Sequence, residues 1–226
     1  MGVTTDAIVD AAIRRGEADS WEAVRLFHIA EDLGTDLDEI RRHFREKEEL
    51  VEAWFDRADQ ALLQAAAMPA VTALPSVERI EALVMAWLAA LEPHRRVTRQ
   101  MIMGKLEFGH LHVQIPAVLR ISRTVQWLRE AAGRDAAGVY RGLEETVLTS
   151  LFVSTFAIWL RAPGDHAGLA RGYLHRGLRG ARRLSRWVPG YARRHAERRR
   201  RLPAPDASGA ADPVSSTGRQ ETAPGV

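Results

Sequence analysis

Few side chains in this sequence are spaced for catalysis or for holding a metal. His110 and His112, one residue apart with Glu107 nearby, form the cluster most like a metal site. A protein metal centre needs several donors converging on one point, and this stretch offers no convincing third ligand, so the pair reads as exposed and no metal or cofactor is expected. The chain has no cysteine, which removes thiolate sites, disulfides and cysteine nucleophiles and fits a reducing cytoplasm. A Gly-rich phosphate loop, a nucleophile elbow and a spaced acid pair are also missing from the sequence. Enzymatic activity is therefore not expected.

The chemistry the chain does carry is cationic, and it is unevenly placed. Overall net charge is +3. Residues 1–67 nevertheless hold 8 Lys/Arg against 16 Asp/Glu, while residues 171–201 hold 12 Arg and only Glu197. Nucleic acid and anionic lipid both select basic faces, so the two ends of the chain face different surroundings. Wound as a helix, residues 169–188 put Leu169, Tyr173, Leu174, Leu178, Ala181, Leu184, Trp187 and Val188 on one half and the arginines on the other. That pattern suits either the last helix of a dimer, with a solvated outer face, or a membrane-surface element in which Arg179, Arg182, Arg183 and Arg186 meet anionic lipid or another polyanion. Residues 193–201 form a polybasic arm able to bind phosphate without sequence preference.

The elements that must position these groups are helices. Apolar residues recur at three- and four-residue spacing nearly everywhere, and strand signals are almost absent, so the fold class is all-α. A first helix is predicted over about residues 4–15, ended by Gly16. A capping box of Asp19 and Glu22 starts a second helix over 20–33, with Gly34 as its stop. Thr35 and Asp38 repeat the start signal for a short third helix to about Phe44. A long fourth helix over 46–67 buries Leu50, Val51, Trp54, Phe55, Ala58 and Leu62. Residues 68–75 read as a linker. Ser76 is the expected cap of a helix that breaks at Pro93. Interrupted helix follows over 95–134, and two long helices, 135–160 and 165–187, are separated by Ala162-Pro163-Gly164. The uncharged run 146–160 is about three residues short of a membrane span and reads as a buried helix. Residues 1–13 are not a secretory signal, carrying Asp6 and Asp10. About 24 residues at the end, rich in Pro, Ala, Gly and Ser, are predicted to be disordered.

Two further sites follow from this layout. Met101, Met103, Phe108, Trp127, Phe152, Phe156 and Trp159 belong to body helices that should face one another, and Met and aromatic walls suit an apolar effector. Two short helices across a Gly turn, supported by a preceding helix, have the geometry that presents a recognition helix to a DNA major groove.

The order and spacing of Ile8-Val9-Asp10-Ala11-Ala12-Ile13, Ile29-Ala30, Gly34, His43-Phe44 and Phe44-x-x-Lys47-Glu48-x-Leu50 resemble the N-terminal domain of the TetR/AcrR transcriptional regulators. The resemblance covers about residues 6–55. It implies a head over 1–67, a ligand-binding and dimerising body over 76–188, and a tail over 189–226, in a cytoplasmic homodimer that responds to an apolar small molecule. Carried over by position, Thr35, Arg41, Arg42 and His43 would face DNA and Lys47 would approach a phosphate. The chain departs from the family where Asp36, Asp38 and Glu39 would face phosphates and where Arg15 and Gly16 end the first helix. Asp19-Ser20-Trp21 is also similar to an Asp-x-Trp of the TetR-like lipid-binding proteins of ubiquinone biosynthesis. That second likeness implies a lipid or quinone carrier that does not bind DNA and docks on membranes through the basic helix.

Overall fold

The computed structural model describes residues 2–105, 111–134 and 139–185. Among them there are ten α-helices and no strand. These are α1 (Thr5–Ala18), α2 (Leu26–Asp32), α3 (Leu37–His43), α4 (Lys47–Ala67), α5 (Pro69–Thr72), α6 (Ser76–Leu91), α7 (Arg95–Lys105), α8 (Leu111–Ala131), α9 (Val139–Arg161) and α10 (His166–Ser185). A 3-10 turn, Glu92–His94, joins α6 to α7.

The first three helices form a small cluster around Ile8, Ala12, Ile29 and Ile40, all buried. Thr4 caps α1 by accepting the Ala7 N–H at 3.2 Å. Helix α1 does not stop at Gly16 but continues to Ala18, and its glycine serves packing instead: Gly16 lies where α7 crosses, and a Cβ there would sit 2.9 Å from Val97 Cγ1. The Arg15 side chain forks onto Asp32 of α2, with both N···O distances 2.6 Å. The two residues that depart from the family pattern at the end of the first helix thus each bind a neighbouring helix.

Helix α2 is shorter than its sequence predicts. Residues 21–23 form a turn instead of a first helical turn, and the Asp19–Glu22 capping box does not form. The Trp21 N–H that would enter the helix donates to Gln100 Oε1 on α7 at 2.8 Å, and Trp21 itself is buried. The stop is as expected. Gly34 takes φ +61, with its N–H on the Glu31 carbonyl and the Thr35 N–H on the Ala30 carbonyl. These paired bonds satisfy the last carbonyls of α2 and require a left-handed residue between them. Asp36, rather than Thr35, caps α3, accepting the Glu39 N–H at 2.8 Å.

Helix α4 runs from this cluster into the body and packs along α6. The predicted linker 68–75 contains the one-turn helix α5, started by Pro69 at its first position. Pro75 precedes α6, and the Ser76 hydroxyl, expected as its cap, instead accepts from Arg134 at 2.9 Å. Helices α6, α8, α9 and α10 complete the bundle around Leu83, Trp87, Leu128, Phe152, Trp159 and Leu174. The carbonyls of Trp159, Leu160 and Ala162, left open where α9 ends, accept from the Arg95 guanidinium at 2.8, 3.1 and 2.8 Å.

Helix α9 is long and apolar enough by composition to cross a membrane over residues 141–161, but it is only partly buried. Leu148, Phe152, Thr155 and Trp159 face the core, whereas Leu143 and Val153 are exposed. The uncharged run 146–160 is therefore a half-buried helix whose exposed positions are Thr146, Ser150 and Val153.

Candidate nucleic-acid interface and the polar centre of the body

Helices α2 and α3 meet across Gly34 as a helix-turn-helix, with Ile40 of α3 seated in the core and Leu37, Asp38, Arg41 and Arg42 outward. The three carboxylates at the start of α3 are each engaged within the helix. Asp36 is spent on the helix start, where a carboxylate opposes the positive end of the helix dipole. Asp38 and Glu39 bind the Arg42 guanidinium at 2.7 and 2.5 Å, and the two carboxylates hold Arg42 above its ordinary pKa.

Of the residues assigned to DNA by position, Arg41 alone projects as an exposed cation with no ion pair among the described residues, and Arg45 just beyond α3 does the same. Thr35 is half-buried in the turn. His43 Nδ1 lies 3.1 Å from Thr5 Oγ1, tying α3 to the first turn of α1. Lys47 points back into the head. Its Nζ donates to the carbonyls of Trp21 at 2.5 Å and Glu22 at 3.1 Å, and lies 5.2 Å from the centre of the Trp21 ring. Burial, followed by the nearby Arg25, lowers its pKa.

Charge counted by sequence also overstates the acidity of residues 1–67, because cations beyond residue 67 neutralise part of it. Arg96 pairs with Glu17. Arg120 of α8 meets three carboxylates on α4: Asp59 at 2.9 Å, Asp56, and Glu52 at 3.5 Å. This is the polar centre of the body. Asp59 Oδ1 also accepts from Trp87 Nε1 at 2.8 Å and Thr124 Oγ1 at 2.9 Å. Burial pushes the Asp59 carboxyl above its usual range, while Arg120, Trp87 and Thr124 pull the other way. Motif and composition do not single out this group. A signal for it is nevertheless present in the sequence, since Asp59 falls four residues after Phe55 and three before Leu62, on the apolar stripe of its helix.

Beside this centre lies an aromatic cluster. Trp87 stacks on Phe55 at 5.8 Å between ring centres and meets Phe152 and Phe156 edge-on at 5.0 and 5.2 Å. Of the residues assigned to an effector, Phe152, Phe156 and Trp159 come together here or next to it, since Phe156 stacks on Trp159 at 5.9 Å. Met101 is buried and Met103 half-buried on α7, whereas Trp127 is 45% exposed on α8. Phe108, Glu107 and His110 lie outside the described residues, as do Arg186, the tail and the side chain of His112.

On α10 the arginines Arg179, Arg182 and Arg183 are exposed, as the helical projection requires. Within α10 the apolar half is largely taken up by the bundle: Leu174 and Leu178 are buried, and among the described residues Leu169 and Leu184 are its exposed leucines. The bundle takes the side that a bilayer would need.

A helix-turn-helix carried on a larger helical bundle is an architecture of transcriptional regulators, the first part having the geometry that presents a helix to a DNA major groove. The chain is similar to a TetR transcriptional regulator from Nitrosomonas europaea, at 48% identity and TM-score 0.69, over 81% of this chain and 98% of that one. It belongs to the TetR family of transcriptional regulators. TetR regulators from Rhodococcus sp. RHA1 and Streptomyces coelicolor share the fold at 17% and 16% identity, each with TM-score 0.59, over 76% and 90% of this chain and 92% of each of theirs. No family model and no curated protein matches the chain.

Proposed function

We propose that this chain is a cytoplasmic DNA-binding repressor or activator that acts as a homodimer and responds to an apolar small molecule. The observation that carries this reading is the 48% identity to a TetR transcriptional regulator over nearly all of that protein's length. Residues 1–67 act as the head and 76–188 as the body, with α3 in the major groove. Arg41 and Arg45 supply the first phosphate contacts, Thr35 and His43 add to them, and Arg42 joins once its pairs with Asp38 and Glu39 open. The exposed apolar residues Leu143 and Val153 on α9 and Leu169 and Leu184 on α10 support a dimer face, since apolar side chains on two adjacent helices are covered by a second copy at little cost. Met103, Trp127 and Phe156 are the effector contacts reached first; Met101, Phe152 and Trp159 are reached only when the helices part. The lipid-carrier reading is not favoured, because its membrane helix is already committed to the core.

Affinity for duplex DNA measured across a salt series tests the central claim. A binder neutralising a few phosphates loses affinity with a log–log slope of about −0.9 per phosphate. Absence of binding to both random and promoter duplex at low salt would overturn the DNA role.

A further inference from the structure

Lys47 is a cation whose hydrogen bonds go to neutral groups. It is the first residue of α4, half-buried, and among the described residues it forms no ion pair; its two hydrogen bonds go to the neutral carbonyls of Trp21 and Glu22. Charge-assisted bonds to an anion are roughly twice as strong as those between neutral groups, so an oxyanion brought to the start of α4 competes well for this ammonium.

The turn that Lys47 holds is gripped from the other side as well. The Trp21 carbonyl is bound by Lys47, while the Trp21 N–H is bound by Gln100 of α7 at 2.8 Å. The Trp21 ring fills the space beside Gly16, at the point where α1 meets Val97 of α7. One residue is thus clamped between the first residue of α4 and a helix of the body.

We propose that Lys47 is an exchange point, bonded either to the carbonyls of the 21–22 turn or to a DNA phosphate, so that phosphate binding loosens this turn from α7 and a shift of α7 alters the availability of Lys47. The inference rests on the DNA-binding reading above. Coupling between two binding events is reciprocal. Weakening the grip of Gln100 on the turn therefore makes Lys47 easier to release and strengthens DNA binding, even though Gln100 lies in the body.

The test uses full-length protein, random-sequence duplex at low salt, and four forms: wild type, Gln100→Ala, Lys47→Met and the double variant. Gln100→Ala is expected to tighten DNA binding roughly fivefold, about what one net hydrogen bond is worth. Lys47→Met weakens binding, and in its background Gln100→Ala has no effect. Amide hydrogen exchange supplies the second readout: duplex speeds exchange at residues 21–25 of wild type, and Lys47→Met speeds it without DNA while α4 and α6 stay protected, which shows that the variant is folded. If wild type binds duplex but the two substitutions act independently, or if duplex leaves exchange at 21–25 unchanged, the exchange is wrong while the DNA reading stands. If wild type binds no duplex, both fall. In that case protection of 21–25 that depends on Lys47 would still identify the clamp as purely structural.

Discussion

Arg120 Nη2 on α8 donates to Asp59 Oδ2 on α4 at 2.9 Å, with both side chains more than nine-tenths buried. A buried pair of this kind adds modest net stability when intact, but losing one partner leaves an uncompensated charge in the interior. Arg120→Met is expected to destabilise the fold by about 3–5 kcal/mol. Asp59→Ala combined with Arg120→Met should cost less than the sum of the single changes, because the stranded carboxylate is gone. Urea unfolding of the four proteins measures the coupling, and strict additivity would show that the pair does not act as a unit.

The same carboxyl gives a pH signature. Because burial raises Asp59 above its unfolded value, the native state binds this proton more readily than the unfolded chain. Its contribution to stability is greatest below the ordinary carboxylate pKa and declines as pH rises through the raised one. Subtracting the unfolding free energy of Asp59→Asn from that of wild type isolates this contribution from carboxylates such as Asp32, whose pKa its Arg15 hydrogen bond lowers and which therefore acts in the opposite sense. The difference should fall with rising pH and then level off. A difference that is flat, or that climbs, contradicts the assignment.

Gly16 tests the contact between α1 and α7. Alanine there gains about 1 kcal/mol of helix propensity, but its Cβ would lie 2.9 and 3.3 Å from the two Val97 methyls. Overpacking of this severity costs about 1–3 kcal/mol, so a small net loss of stability is expected. Val97→Ala, which makes room, should reduce or reverse the effect of Gly16→Ala in a thermal-unfolding comparison.

At Gly34 the cost has a different origin. A Cβ added there would meet no atom within 4 Å, yet φ is +61. Gly34→Ala should lose about 1 kcal/mol through backbone conformation alone, and Gly34→Asn should lose less, since asparagine tolerates the left-handed region. Equal losses for the two would point to a packing effect that the open space around Gly34 rules against.

The proposed dimer face makes a separate demand. Val153→Glu and Leu169→Glu alter exposed side chains and should leave helix content unchanged. Sedimentation velocity should then show a shift from dimer toward monomer. A dimer unaffected by both changes places the contact elsewhere.

Much of the fold was legible because helices are built from local rules. The stripe Leu50, Val51, Trp54, Phe55, Ala58, Leu62 predicted the long α4, and Gly34 predicted the turn of the helix-turn-helix, since only a few positions of the chain must be satisfied together in each case. The start of α2 was not legible. A sound local capping signal at Asp19 and Glu22 lost to a hydrogen bond from Trp21 to Gln100, 79 residues away, and to Lys47 on the same residue's carbonyl. Charge behaved in the same way: Asp59 and Asp36 looked alike in a count, but one is buried against Arg120, 61 residues on, and the other caps a helix at the surface. The all-helical class, the helix-turn-helix and the family resemblance were all readable from local pattern, because periodicity, turn glycines and motif spacing are properties of neighbouring residues. Which charges pair, and with what, emerged from the folded chain, because the energy of a charge depends on its burial and on partners that the chain brings in from far along its length.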